Sequence, residues 1–418
     1  MRSRPSVCFA APGHTLLSTA GSTRNILATA AALSEWVDVT VAFRNVAESI
    51  SPENYRIEEI SPAPENQHAI DDVAARGLNP LSHLSYLKTL RNYASRSASS
   101  YDLVFEKGWR LSGYLCREFT ARGVHSILIE NDARIWNENL WTIRSVAKYM
   151  VHAVAQFVAR NSSRRASHIV AETDELKAAL VARRGLPPDK ISVVPLGVDH
   201  SLFRPMAQRS ARHALGLSNS SAIMLYVGGM DQYHDLSPLL EALHSQAPAG
   251  LEIHLVGDGE YRRRYENLAS SLSVPVVFHG LIEHEKIPDY IAAADICLAP
   301  YQASGFYRNQ LAFSTLKIPE YMACGRPVIS IPSGHILSLI EDGVTGFLFD
   351  NESASWQRFL QDMPSGERFA AMGRAAAPTV ASLSWSETAR RYLILGSEVS
   401  NMPLYCDSDH GKNPVRNG

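Results

Sequence analysis

A chain of 418 residues with 45% hydrophobic and 20% charged side chains has a globular composition and is too long for one ordinary core, which predicts two domains of roughly 200 residues each. Forty basic against 42 acidic side chains leave a formal charge of −2. That balance excludes any general demand for nucleic acid and leaves a small neutral or anionic ligand open. The scattered cysteines, Cys8, Cys116, Cys297, Cys324 and Cys406, lack the even count and paired spacing of a disulfide framework or zinc cluster, and no run reaches the ~18 apolar residues of a membrane span. A soluble protein of a reducing, cytoplasmic compartment is expected.

In chain order, short apolar runs alternate with amphipathic stretches, the pattern of parallel strands joined by helices. The first predicted strand is 6–12, followed by a loop over 13–23, a helix over 24–34 and a strand over 37–43. Further strands are expected at 102–105, 125–129 and 168–171, with a helix over 111–122. The run 141–165 carries Arg144, Lys148, Arg160, Arg164 and Arg165 beside apolar residues. It reads as an amphipathic helix of the first domain, and a weak peripheral contact with anionic lipid is the alternative. The segment "SVVPLGVDHSLFRP" is punctuated by Pro195, Gly197 and Pro205 and reads as an interdomain linker over 196–205.

A second α/β series follows over 206–383: strands at 222–227, 252–256, 276–278, 296–299 and 327–331, and helices at 236–244, 260–272, 287–293 and 318–323. A last amphipathic helix over 384–400 completes the first domain, 1–195, and 401–418 reads as a frayed tail. In a doubly wound sheet, ligand loops sit at the carboxyl ends of the strands.

The segment "FSTLKIPEYMACGRPVIS" places Ser314, Thr315, Lys317 and Glu320 at the start of a helix. Unpaired backbone N–H groups and a partial positive charge there suit a diphosphate, with Lys317 as a point charge. Glu320, three residues on, shares nearly the same face and suits a ribose diol. The alternative is that Ser314 is an N-cap and Lys317 and Glu320 form a solvated pair.

The text "FSTLKIPEYMACGRPVIS…LIEDGVTGFLF" resembles the "FSPLKLFEYMAAGKPVV…LIEDGVTGLLV" signature of the group 1 family of glycosyltransferases, in its "SPLK" branch. "VVPLGVD…LFRP", "MLYVGG", "LVGDGEYRRRYENLA", "VVFHGLIEHEKIPDYIAAADICLAPY" and "SW…A..YL" follow the same family order. The resemblance implies the α/β GT-B fold, two Rossmann-like domains whose parallel sheets face each other across a cleft, with hinge motion near 195–205. It implies a cytoplasmic, generally retaining enzyme moving a hexosyl group from a nucleoside diphosphate sugar to the hydroxyl of a small-molecule, lipid-linked or glycan acceptor, with no metal and no cofactor besides the donor. A non-catalytic nucleotide-sugar-binding protein, or a GT-B epimerase or phosphorylase, remains the alternative; neither the base, sugar, acceptor nor oligomeric state is readable.

By the same resemblance, Ser314, Thr315, Leu316 and Lys317 contact the diphosphate and Glu320 the ribose. Gly228 admits a phosphate or sugar, Gly280 and Leu281 face the base, and Gly21 closes over the phosphates from the first domain. Three family residues are absent: the donor-sugar glutamate falls on Ala312, and the arginine and lysine that neutralise the diphosphate fall on Gly229 and His234. Lys317 is the expected relocated cation, with Arg24 or Arg308 as a second. "YDLVFEKGWRLSGYL" and "HSILIENDARIWNE" place Glu106 and Glu130 after strands, where they are expected to orient or deprotonate the acceptor. They otherwise cap helices or pair with Arg110 or Arg134. In this stretch Lys107 and Gly108 replace the family's arginine and aromatic, while Asn131 matches.

Overall fold

The computed structural model describes residues 4–17, 21–48, 50, 52–60, 80–131, 146–231, 233–302 and 314–405. Two compact units emerge, Met1–Leu196 with Trp385–Gly418, and Gly197–Ser384. The first contains β1 (Ser6–Leu16), α1 (Gly21–Leu33), β2 (Asp38–Val46), β3 (Arg56–Glu59), α2 (Pro80–Ser97), β4 (Leu103–Lys107), α3 (Tyr114–Thr120), β5 (His125–Glu130), α4 (Val146–Ser163), β6 (His168–Ala171), α5 (Asp174–Arg184) and β7 (Ile191–Val193). The second runs through α6 (Gln208–Leu215), β8 (Ala222–Val227), α7 (Ser237–Ser245), β9 (Leu251–Val256), α8 (Arg262–Ser271), β10 (Val276–Gly280), α9 (Ile287–Ala293), β11 (Ile296–Ala299) and α10 (Lys317–Ala323). It continues through β12 (Val328–Ser330), α11 (Ile336–Leu339), β13 (Gly346–Leu348), α12 (Ser353–Gln361) and α13 (Gly366–Thr379), and α14 (Trp385–Ser400) returns to the first unit.

Both sheets are parallel and doubly wound, in the orders β3-β2-β1-β4-β5-β6-β7 and β10-β9-β8-β11-β12-β13. Period-two alternation explains how helices cover both faces. In β4, Leu103 and Phe105 enter one cluster and Val104 the opposite one; in β8, Ile223 and Leu225 part from Met224 and Tyr226 in the same way. Strand order reverses between β1 and β4, and again between β8 and β11, so each unit has one switch point where a crevice opens beyond the strand ends.

Several boundaries differ from the expected ones. Pro12 and Gly13 suggest a turn, yet β1 continues to Leu16: its register with β2 slips between Ala11 and Thr15, then Thr15 pairs with Asn45 and Leu16 with Val46. A bulge absorbs the punctuation. Helix α1 starts at Gly21, three residues before the expected 24, tied to the strand by Thr23, whose hydroxyl donates to the Thr15 carbonyl at 3.4 Å. The helix expected over 111–122 shortens to 114–120, since Gly113 is its N-cap in a left-handed conformation, φ 79°. Of the run 141–165, the described part is α4, with Phe157 69% and Val154 53% exposed; residues 141–145 lie outside the described residues. Of the tail expected to fray over 401–418, residues 401–405 instead pack on the first unit, with Leu404 buried and the Tyr405 ring 5.8 Å from that of Trp36; 406–418 lie outside the described residues.

Residues 197–205 are anchored in the second unit. Val198 N donates to Leu383 O at 2.9 Å and Phe203 is buried in that core. Helix α14 lies on the first sheet, where Tyr392 meets the Phe105 ring at 5.4 Å and Thr388 donates to Pro195 O at 2.9 Å. Gly396 is a glycine because a Cβ there would meet Leu103 Cδ2 at 2.7 Å.

Candidate functional site

In the second unit the switch point gathers Gly228, Tyr226, Tyr301, Thr315 and Lys317. Helix α10 opens on Lys317, with Leu316 as N-cap and no side-chain cap. Ser314 is therefore not the N-cap, and Thr315 is buried, its hydroxyl receiving Tyr301 Oη at 2.7 Å. Lys317 Nζ donates to Tyr226 Oη at 3.2 Å and sits 4.4 Å from the Tyr226 ring centroid and 5.9 Å from that of Tyr301. Two aromatic faces hold the ammonium. Lys317 keeps some exposed surface, but burial of its amine pushes the pKa down to about 7, against the pull of Asp231 and Glu320. Glu320 is half-buried on the same short helix.

The two positions where the family's cations fall carry no positive charge here. Gly229 offers only its carbonyl, which accepts Tyr226 Oη at 2.5 Å. His234 is held neutral, its pKa lowered to about 4 by burial and by Lys317 although Asp231 opposes this; its contact with Asp231, 2.9 Å, is a hydrogen bond rather than an ion pair. At Gly228, φ 144°, a Cβ would stand 2.9 Å from Lys317 Nζ, so this glycine makes room for the lysine as well as for any ligand. Gly228→Ala is expected to displace the amine and to destabilise by about 1–3 kcal/mol, from the left-handed backbone. A thermal melt lower by several degrees and a roughly tenfold weaker nucleotide titration would show it; wild-type behaviour in both would refute it.

Gly280 ends β10 with φ 72°, and Leu281 beyond it is 64% exposed, a bare apolar surface. Gly21 contrasts with Gly228: it is exposed, and a Cβ there would meet nothing within 4 Å. The first unit has no packing need for a glycine at that position. Arg24 stands in the first turn of α1. Arg308 and Ala312 lie outside the described residues.

In the first unit, Glu106 does not face open space. It is fully buried, and its carboxylate accepts from Gly113 N at 3.0 Å, Cys116 N at 2.7 Å and Trp109 Nε1 at 2.9 Å. It fastens the start of α3, eight residues downstream, and burial raises its pKa to about 7 despite those donors. Because the folded value lies above the ordinary 4.5, its contribution to stability is complete below pH 4.5 and lost as pH rises through 7. Glu130 is also buried; it accepts Arg184 Nη1 at 2.6 Å and Ser112 Oγ at 3.2 Å, and burial raises its pKa against the pull of Arg184. Among the described residues it forms an ion pair with Arg184, and Arg134 lies outside them. Gly108 replaces an aromatic because a Cβ there would lie 2.9 Å from Glu130 Oε2, and Lys107 makes a buried 2.5 Å ion pair with Glu172.

Sequence reasoning missed His14, near the end of β1 beside the switch point. Its Nδ1 is shut from solvent without a hydrogen-bond partner. Burial and the charge of Lys107 lower its pKa to about 4, so the ring is neutral. A buried nitrogen without a protein partner is an exception to the general pairing of buried polar groups. The signal was masked because Pro12-Gly13 suggested a mobile turn. It equally missed Tyr226, inside one expected strand, and Tyr301, just beyond the end of another. Among the described residues no cluster of three or more His, Cys, Asp or Glu suits a metal ion, and no helix is long and apolar enough to cross a membrane.

Residues 221–362 match the family described as glycosyl transferases group 1, and residues 19–202 match glycosyltransferase family 4. A D-inositol 3-phosphate glycosyltransferase of Geodermatophilus obscurus is 28% identical over 278 residues, 62% of this chain and 58% of that protein; the chain thus matches under two thirds of that relative's length. Sucrose-phosphate synthase from Thermosynechococcus elongatus superposes with a TM-score of 0.72 at 18% identity, covering 95% of this chain and 99% of that one. Anabaena HepE in complex with UDP-glucose gives 0.71 at 18%, covering 94% and 99%. The fold is GT-B, and the matches in the two units together support a group 1 glycosyltransferase.

Proposed function

We propose that the chain is a retaining glycosyltransferase that moves a hexosyl group from a nucleoside diphosphate sugar to a hydroxyl acceptor. The observation that carries this reading is the Lys317 amine, held by Tyr226 and Tyr301 at the switch point of a GT-B second unit. In this reading Lys317, Ser314 and the Thr315 and Leu316 backbone bind the diphosphate, Glu320 the ribose, and Gly280 and Leu281 the base, while Gly228 and Gly21 allow close approach. Lys317 neutralises charge that grows on the departing diphosphate, which favours the transition state over the ground state. The leaving phosphate oxygen can then take the acceptor proton on the face it departs from, which gives retention. UDP-glucose and inositol phosphates, named for a structural neighbour and a relative, are the first donor and acceptor to try.

On the acceptor side the geometry favours His14 over Glu106, whose oxygens are taken up in holding α3. Glu130 orients that region through Arg184 and Ser112. His14→Ala is expected to lower transfer about 100-fold while donor affinity changes by less than about twofold; equal losses in both, or none, would remove the assignment. The reading as a whole is tested by incubating the protein with nucleotide sugars and acceptors and following the anomeric proton by NMR. An α-linked product from an α-linked donor supports it, and donor turnover to an epimer without acceptor would replace it by epimerase chemistry.

A further inference from the structure

A cavity of 470 Å³ lies on the first unit, lined by Arg91 of α2, Arg117, Glu118, Ala121 and Arg122 at the end of α3, and Arg165 after α4. Arg122 and Arg165 immediately precede β5 and β6. They therefore stand at the amino ends of these strands, away from the carboxyl ends where the switch-point residues lie. Four guanidinium groups meet one carboxylate there. Glu118 is 6% exposed and accepts Arg117 Nη2 and Arg122 Nη1, each at 2.9 Å, with Arg91 Nε at 3.9 Å. Burial works to raise the pKa of Glu118, but these arginines outweigh it and lower it, so the carboxylate is ionised and cancels one charge of the four. Three positive charges remain around one concavity, in a chain whose overall charge is −2.

Much of this donor capacity is unspent on Glu118. Arg122 also binds Ser95 Oγ, with Nη2 at 2.7 Å, and the Glu118 carbonyl. Arg117 lies over the Tyr114 ring at 4.7 Å, which fixes its plane, whereas Arg91 and Arg165 are exposed. Fixed guanidinium planes beside exposed ones suit an anion with several oxygens, since each plane offers paired N–H donors. The partial negative charge at the end of α3 opposes an anion by about half a unit, too little to offset three cations.

We propose that this cavity binds a phosphate-bearing ligand of at least two negative charges, either a soluble phosphorylated molecule or the headgroup of an anionic lipid. The site is independent of the glycosyl-transfer reading. The test is calorimetric titration of the full chain with inorganic pyrophosphate at low ionic strength, comparing wild type with Arg91→Gln/Arg165→Gln, which leaves the Arg117–Glu118–Arg122 pairing intact. Because pyrophosphate also suits Lys317, the titration is repeated in the Lys317→Met background, where the remaining binding reports the cavity. That binding is expected to weaken about tenfold when both exposed arginines are removed, with an unchanged thermal melt and unchanged nucleotide affinity. Co-sedimentation with phosphatidylcholine vesicles, with and without cardiolipin, whose headgroup carries two phosphates, separates the sources. Loss of vesicle binding in the same variant identifies a lipid headgroup, and loss of pyrophosphate binding alone a soluble ligand. Superimposable titrations of variant and parent, with unchanged vesicle binding, would overturn the site.

Discussion

Lys317→Met is expected to weaken nucleotide-sugar binding about 10- to 100-fold, the loss of one charge-assisted contact of ~1.5–3 kcal/mol with the diphosphate. The free protein should at the same time melt no lower, since methionine fills the space between Tyr226 and Tyr301 without a desolvated amine. A folding defect would lower both quantities, so their divergence is diagnostic. The pH dependence gives a second signature. In the free protein the Lys317 pKa is lowered to about 7; the groups around it are Asp231 and Glu320, which favour its charge, the neutral His234, and the phenols of Tyr226 and Tyr301. A bound diphosphate favours the protonated amine and raises that pKa, so binding takes up a proton above pH 7. Affinity then falls with rising pH by up to about tenfold per unit and is flat below pH 7. Titrations in buffers of different ionisation enthalpy read the proton directly, and Lys317→Met should flatten the profile.

The second large effect belongs to stability. Lys107 and Glu172 form a 2.5 Å pair with side chains only 2% and 3% exposed. Lys107→Met leaves the carboxylate of Glu172 buried without its cation, which costs about 3–5 kcal/mol. For a unit of this size the melting temperature should drop by roughly 6–20 °C. Replacing both, Lys107→Met/Glu172→Leu, should recover most of the loss, because well-packed apolar groups of similar volume avoid the desolvation cost of the pair. A thermal-denaturation cycle over the four proteins measures this coupling; additive losses would show that the pair is held for some other reason.

The parallel strands were legible because each is a short apolar run between turn residues, and β6, β8, β11 and α9 fall where the sequence pattern puts them. Lys317 was legible too, through its place at the start of a helix and through resemblance. Its environment was not. Tyr226 and Tyr301 are 91 and 16 residues away, and only the closure of β8 beside β11 brings their rings to one amine. Glu106 misled for a related reason: a carboxylate after a strand looks aimed at ligand, but this one turns back to three donors of the following loop and helix. Local spacing does not say which way such a side chain turns. Glu172 was silent because a charge that is neutralised by a partner 65 residues earlier leaves no trace in its own neighbourhood. The short strand β3 escaped because "RIEE" carries one apolar residue and pairs at the sheet edge.

The central claim is that the second unit binds a nucleoside diphosphate sugar through Lys317. It is tested most directly by titrating wild type and Lys317→Met side by side with uridine, guanosine and adenosine diphosphates and their glucose conjugates. Saturable one-site binding of at least one base series to the wild type is expected, weakened about 10- to 100-fold in the variant. Binding of equal strength to both proteins, or of no member of the panel to the wild type, would contradict it.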